Sequence, residues 1–375
     1  MTSKPLEEIK FNCPHIESCN GCSFKSLDYN FQRQTKKERF EKALLESLHY
    51  TGSIQLEFPT LGYHRDRADF ISFSGKLGLF NKAKEFQELK TCSLLSPRLA
   101  AYFQKLQLYS FPINKGSLRL RVSAAAANFN YGLWLDFANQ DIKKLLEEKK
   151  TLQKLIQEGI FIEIGQKGKK LLLDSDTGTL KLKDPEPHFW FSGLKENQET
   201  PLYSLVSSFT QPSMKLNILM QRLIVSLLSQ RQYEFGVEFG SGIGNFSALI
   251  QEHSKFSFFL ENDPRNLLAL SKNIKSDKGR IITSQKEWNK ELNDKGENFF
   301  KASKLFLVNP PKSGVGELFN KDPNCETLIY ISCYLDSMVK DLLSLKKYGY
   351  KIRQTILFDQ FPQSQHFETI TKLER

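Results

Sequence analysis

Apolar and polar positions follow two different rhythms along this chain. Residues 29–48, YNFQRQTKKERFEKALLESL, place Phe40, Leu44 and Leu48 at helical spacing with charges between them, which predicts an amphipathic helix. From 52 to 92 the alternation has the period of strands, and RADFISFSGKLGLF reads as a hairpin turning at Ser74-Gly75-Lys76. A short helix is expected near 97–108 and alternating strands over 116–136, with a turn in NFNYG. A charged helix follows over 139–158, stopped by Gly159, and short β-like runs continue to about 206.

From 212 onward helix and strand alternate. Helix 212–229 leads to strand 233–239, a glycine-rich loop, a helix and strand 256–260. Helix 264–275 and strands 280–283, 304–308 and 328–332 come next, then a helix at 335–346 and strand runs 350–358 and 367–373. Such alternation predicts an α/β domain with a largely parallel sheet covered on both faces. The last two runs, joined by a short link, predict an antiparallel pair at one edge.

Composition narrows the class. Of 375 residues, 40% are hydrophobic and 25% charged, an ordinary globular balance that excludes a disordered chain. No apolar run approaches the roughly 18 residues of a membrane span, and the start MTSKPLEEIKFNCPH has no signal-like or transit-like pattern. A soluble, unprocessed, cytoplasmic protein without a membrane partner is expected. The net charge of +11 points to a polyanionic partner, because Lys and Arg displace counterions from a phosphate backbone. The basic stretches 33–42 and 164–170 are interrupted by acids or glycines, so a Lys-rich solvated surface is the alternative.

Cys13, Cys19, Cys22 and Cys92 fall in the first quarter of the chain. In a reducing compartment such a group argues for metal or cluster binding rather than disulfides. Three clustered thiols with one distant partner suit an iron–sulfur cubane better than a zinc ribbon, which pairs two C-x2-C knuckles; zinc is the alternative.

The loop VEFGSGIGNF (237–246) follows a strand and opens a helix, so its amides can line an anion or nucleotide site. Glu261, at the end of strand 256–260, is placed to accept hydrogen bonds from a ribose. A dinucleotide fingerprint has its third glycine where Asn245 stands, and the observed G-x-G-x-G with Glu238 before it fits S-adenosylmethionine better than NAD. LFLVNPPKSG (305–314) puts Asn309-Pro310-Pro311 at the end of a buried strand, on the sheet edge where ligands of open α/β folds sit. Cys333 ends the next strand on that edge, and Glu368 starts the last strand run.

A thiolate and a carboxylate beside a methyl donor suit one reaction well. Carbon 5 of uracil is too weak a nucleophile to accept a methyl group unaided. Addition of a thiolate at carbon 6 makes the ring an enolate, and a base must afterwards remove the carbon 5 proton so that the thiolate can leave.

SFTQPS, EFGSGIGNF, LVNPPKSG, ISCYLDSMVKDL and LFDQFPQSQHFETITKLER occur in the order and approximate spacing of one family. From about residue 209 to 375 the chain resembles the RNA uracil-5-methyltransferases. The resemblance implies Cys333 as nucleophile, Glu368 as proton acceptor, and Gln211, Gly240, Glu261 and Asn309 as S-adenosylmethionine contacts. It implies a [4Fe-4S] cluster on Cys13, Cys19, Cys22 and Cys92, as in the 23S ribosomal RNA branch. It further implies an RNA substrate, 23S ribosomal RNA or alternatively transfer RNA, with no obligate protein partner and with the target uridine flipped from its stack. The expected architecture is an iron–sulfur module (1–95, with helix 29–48 free to pack on the catalytic domain), a β-rich RNA-binding domain (96–208) and a Rossmann-like S-adenosylmethionine-dependent methyltransferase domain (209–375).

Three positions depart from the family pattern. Its Asn-Pro after the cysteine is Tyr334-Leu335 here, its aromatic-Gln-x-Asn is Thr210-Gln211-Pro212-Ser213, and the aromatic of its glycine loop is Gly240. A catalytically weakened RNA-binding relative is the rival class. Arg65 and Arg67 are candidates for RNA contact or for a solvated strand face. His366, two before Glu368, is a candidate for positioning, and Cys325 reads as an incidental thiol.

Overall fold

The computed structural model describes residues 11–25, 27–58, 65–109, 115–124, 130–136, 149–166, 169–174, 181–228, 231–284 and 303–375. The chain divides into two compact units. One comprises residues 1–28, 61–192 and 201–215, and the other 29–60, 193–200 and 216–375. The boundaries therefore differ from three consecutive segments, because strand pairing joins stretches far apart in sequence.

Helix α1 (Tyr29–Leu48) spans the stretch read as amphipathic. Strand β1 (Ile54–Glu57) follows it, and both belong to the second unit. The first unit holds an eight-stranded sheet in the order β4-β3-β2-β5-β6-β7-β8-β9. Its strands are β2 (Arg67–Phe73), β3 (Lys76–Phe80), β4 (Phe86–Glu88), β5 (Lys115–Val122), β6 (Tyr131–Asp136), β7 (Ile160–Gln166), β8 (Lys169–Asp174) and β9 (Lys181–Lys183). The hairpin β2–β3 turns at Ser74 and Gly75, whose φ values of 50° and 77° match a two-residue turn with both central residues left-handed. Because β2 also pairs with β5, strands from both sides of residue 95 share one sheet.

Helix α2 (Pro97–Leu106) starts where Ser96 accepts the Leu99 amide and Pro97 supplies a helical φ without needing a donor. Its Leu99, Tyr102, Phe103 and Leu106 bury against Leu118, Leu120 and Val122 of β5. The parallel pair β6–β7 flanks helix α3 (Lys149–Gln157). Residues 139–148 of the helix expected over 139–158, and Asn128 and Phe129 of NFNYG, lie outside the described residues. Hairpin strands β10 (His188–Lys195) and β11 (Gln198–Ser204) precede helix α4 (Met214–Leu227).

The sheet of the second unit runs β1-β17-β18-β16-β15-β12-β13-β14. In chain order its later elements are β12 (Tyr233–Phe239), α5 (Ser247–His253), β13 (Ser254–Leu260), α6 (Pro264–Asn273) and β14 (Gly279–Ile282). Then come β15 (Ser303–Val308), β16 (Thr327–Ser332), α7 (Leu335–Lys347), β17 (Lys351–Phe358) and β18 (Glu368–Glu374). Alternate residues feed opposite cores, as a strand's period of two requires. Phe306, Val308, Leu328 and Tyr330 join Phe40, Leu44, Met338 and Leu342, whereas Leu305, Leu307, Ile329 and Ile331 join Met220, Ile224 and Leu249.

Strand β18 runs antiparallel to both β16 and β17, so the final pair is antiparallel as expected. It does not lie at the edge. β1 adds in parallel outside β17, with Ile54 opposite Thr355, and so covers the exposed strand. From β12 the chain proceeds one way to β13 and β14, then crosses to β15 on the other side. That reversal creates a crevice outside the carboxyl ends of β12 and β15.

Candidate active site

The glycine loop leaves β12 at this crevice. Gly240, Gly242 and Gly244 have φ values of 74°, 57° and 89°, a conformation that side chains strain to adopt. A Cβ on Gly240 would lie 2.2 Å from the Asn309 carbonyl oxygen, so the family's aromatic cannot occupy this backbone unchanged. Asn309 is tied to the same spot, its amide donating to Phe239 O at 2.9 Å. Glu261, at the end of β13, accepts the Gly242 amide at 2.8 Å and the amides of Asn262 and Asp263. Gly240, Glu261 and Asn309 thus converge, while Gln211 is buried in the other unit. Beneath the loop Glu238 is fully buried, accepts from Ser247, and is pushed up to about 8 by desolvation. A cradle of left-handed glycines with an acidic residue at the next strand end fits a nucleoside-bearing ligand.

Cys333 follows β16 directly. It lines a cavity of about 150 Å³ with Arg39, Tyr334, Gln365, His366 and Phe367. β18 begins at Glu368, and Ser332 pairs in register with Thr369, so thiol and carboxyl sit at neighbouring strand ends. Thr369 Oγ1 donates to Ser332 O at 3.1 Å and fixes that pairing. Burial pushes the Glu368 carboxyl up to about 8, opposed by a 3.4 Å hydrogen bond from Gln360 Nε2. Burial first, and then the Glu368 charge, push the Cys333 thiol up to about 11, against the pull of Lys312.

The two residues after Cys333 have separate tasks. Tyr334 caps α7 through its backbone, its amide donating to Ser332 Oγ at 3.0 Å and its carbonyl accepting Met338 N–H. Its ring stays exposed, whereas Leu335 is buried in the core shared with Met338. The NPPKSG loop is held by Asp341 of α7, which accepts the Val315 amide at 3.0 Å and the Tyr330 hydroxyl.

Sequence reasoning missed the support behind Glu368. Residues 359–367 dock on α1: Lys36 Nζ donates to Asp359 Oδ1 at 2.7 Å and to Phe361 O at 3.0 Å. Tyr29 Oη donates to Asp359 Oδ2, and Gln32 Nε2 to Gln363 Oε1 at 3.0 Å. The available signal was that Gln32 and Lys36 continue the Phe40-Leu44-Leu48 stripe at intervals of four, so their polar ends needed buried partners.

In the first unit Cys13, Cys19, Cys22 and Cys92 line one cavity of about 60 Å³, together with His15 and Arg65. The loop that bears the first three is fastened to the fourth's segment. Lys90 N–H donates to His15 Nε2 at 3.0 Å, and Ser93 Oγ to Asn12 O at 2.7 Å. Burial, then Cys92 and Cys19, push the Cys22 thiol up to about 12. Burial raises Cys19 and Cys92 as well. Among the described residues, no group of three or more His, Cys, Asp or Glu side chains is drawn close enough to hold a metal ion. The four cysteines expected to hold a cluster thus share one cavity but do not form a metal-binding group among the described residues.

Arg67 and Phe209 meet with the guanidinium 5.0 Å from the ring centroid, and Phe209 is exposed. Cys325 is buried against the Tyr350 hydroxyl and takes no part in the site.

The profile of the tRNA (uracil-5-)-methyltransferase family matches residues 192–375. An "uncharacterized RNA methyltransferase" of Bdellovibrio bacteriovorus is 33% identical over 379 residues, covering 97% of this chain and 95% of its own. The 23S rRNA (uracil(1939)-C(5))-methyltransferase of Histophilus somni is 23% identical, covering 100% of this chain and 84% of its own. The Pyrococcus abyssi tRNA (uracil-54, C5)-methyltransferase in complex with S-adenosyl-L-homocysteine shares the fold, with a TM-score of 0.63 at 15% identity over 95% of this chain and 86% of that one. Fold and relatives together define an S-adenosylmethionine-dependent methyltransferase whose substrate is RNA. The chain belongs to the RNA uracil-5-methyltransferase family.

Proposed function

We propose that the protein methylates carbon 5 of a uridine in 23S ribosomal RNA, with Cys333 as nucleophile and Glu368 as base. The reading rests on the two residues standing at neighbouring strand ends, with the Glu368 charge acting on a Cys333 thiol that lines a cavity. Cys333, as the thiolate, adds to uracil carbon 6 and makes carbon 5 nucleophilic. S-adenosylmethionine, when bound, supplies an electrophilic methyl group. Glu368 then takes the carbon 5 proton, the thiolate departs, and the ring double bond returns.

Burial serves this sequence. A carboxyl held near 8 is a stronger base than an exposed glutamate, and the Gln360 amide fixes which way it faces. Lys312 favours the thiolate form of Cys333. The amides of the 240–244 loop, Glu261 and Asn309 would hold the cofactor, and the resemblance adds Gln211.

Cys13, Cys19, Cys22 and Cys92 would hold a [4Fe-4S] cluster. The supporting observation is four thiols on one cavity, of which Cys19, Cys22 and Cys92 have their ionisation opposed by burial and by neighbouring cysteines, a cost that bound iron removes. Bound there, the cluster would cross-link residues 13–22 to Cys92 rather than take part in methylation. The named 23S ribosomal RNA relative supports the target and, with it, a cytoplasmic location. Mapping 5-methyluridine in total RNA from a strain lacking the protein tests this: one site vanishes from 23S ribosomal RNA. Loss from transfer RNA instead would refute the target while keeping the chemistry.

A further inference from the structure

Arg39 lies on α1, nearly 300 residues before the nucleophile, yet it lines the Cys333 cavity. Its Nη1 donates to Gln365 O at 3.2 Å, and its guanidinium carbon stands 5.8 Å from the centroid of Phe367. Both partners belong to the stretch that runs into Glu368. Arg39 is exposed, and its hydrogen bond to Gln365 uses one of the five N–H donors that a guanidinium carries.

An exposed arginine is ordinarily just solvated, but here position and charge argue otherwise. The position is fixed, because Lys36, three residues earlier, is locked to Asp359 and Phe40, the next residue, is fully buried. Burial first, and then the charges of Lys312, Arg39 and Lys36, hold His366 below its usual value. Of these cations Lys36 is neutralised by Asp359, whereas among the described residues Arg39 has no carboxylate partner, and Lys312 acts on both Cys333 and His366. Asp336 also lines the cavity, but it occupies the first turn of α7, where a carboxylate complements the helix dipole. A uridine that reaches Cys333 carries its own phosphodiesters to this mouth.

We propose that Arg39, assisted by Lys312, grips a backbone phosphate next to the target uridine, so that α1 forms part of the RNA-binding surface. The planar guanidinium can meet two phosphate oxygens at once, which a lysine cannot. Arg39 acts in binding and orients the nucleotide; it performs no bond-making. The inference rests on Cys333 as the reacting residue.

The test uses Arg39→Gln, Arg39→Lys and Cys333→Ser in the full chain. Methyl transfer is followed on unmodified total RNA from a strain lacking the protein, and RNA binding is measured at rising salt. Arg39→Gln is expected to raise KM for RNA about tenfold with kcat and S-adenosylmethionine affinity unchanged. It also lowers the slope of log affinity against log salt by about 1. Arg39→Lys restores the slope and part of the KM, a recovery that a purely structural role would not give. A wild-type slope in Arg39→Gln overturns the inference. If that occurs while Cys333→Ser is inactive, only the phosphate contact is wrong. Methylation by Cys333→Ser would instead remove the reading beneath it.

Discussion

Lys36 and Asp359 form an ion pair at 2.7 Å with side chains only 1% and 0% exposed. It fastens α1 to residues 359–367, which lead directly into Glu368. Burial pulls the Lys36 ammonium below its usual value, and Asp359 opposes that pull. Removing one partner leaves the other buried and uncompensated. Lys36→Met is expected to destabilise the protein by about 3–5 kcal/mol. Lys36→Met combined with Asp359→Asn should recover part of that loss. Urea unfolding of the single and double variants checks it, and a single variant as stable as wild type would contradict it.

Stability should fall as pH rises through about 8. Glu368 and Glu238 are buried carboxyls raised to about 8, while an unfolded glutamate titrates near about 4.3. Between those values the folded state holds protons that the unfolded chain has released, so the stabilisation is complete below the lower value and lost through the upper one. Glu238→Gln cannot ionise and should flatten part of this decline in unfolding midpoints. Activity runs the other way: kcat/KM should climb toward about pH 8 as Glu368 gives up its proton, and a fall over that range would contradict its role as base.

Gly240→Ala and Gly242→Ala separate strain from contact. Both backbones are left-handed, but a Cβ on Gly242 meets nothing within 4 Å, whereas one on Gly240 strikes the Asn309 carbonyl. Gly242→Ala should cost about 1–3 kcal/mol from strain. Gly240→Ala should cost more and weaken S-adenosylmethionine binding, because the Asn309 loop must move. Denaturation and calorimetric titration of the pair check the order; equal losses would contradict it.

Protein purified without oxygen should carry about four iron and four sulfide per chain. Cys22→Ser should lose that iron and weaken RNA binding while S-adenosylmethionine binding persists. Stoichiometric zinc in place of iron would contradict the cluster, and normal RNA binding by iron-free protein would contradict its structural role.

The periodic parts of this fold were legible in the sequence. α1 showed its stripe at Phe40, Leu44 and Leu48, the Ser74-Gly75 turn announced its hairpin, and the 237–246 loop read as a ligand cradle before its three left-handed glycines were seen. What escaped depends on distant partners. Nothing in the four residues Ile54–Glu57 says that they pair with β17 some 300 residues later. Lys36 looks like a surface charge until Asp359 is placed against it, and Gln360 acquires meaning only beside Glu368. The cysteine spacing singled out four thiols, whereas their convergence on one cavity is a property of the fold. Tyr334 and Leu335 replace a family motif with a helix start and a core residue.

The most direct measurement is covalent trapping on RNA carrying 5-fluorouridine with S-adenosylmethionine present. Fluorine at carbon 5 cannot be removed by Glu368, so the adduct should persist as a protein–RNA complex in denaturing gels, with the linkage at Cys333 by peptide mass. Cys333→Ser should give none. A wild-type protein that methylates ordinary RNA yet forms no adduct, or an adduct on another residue, would contradict Cys333 as the nucleophile.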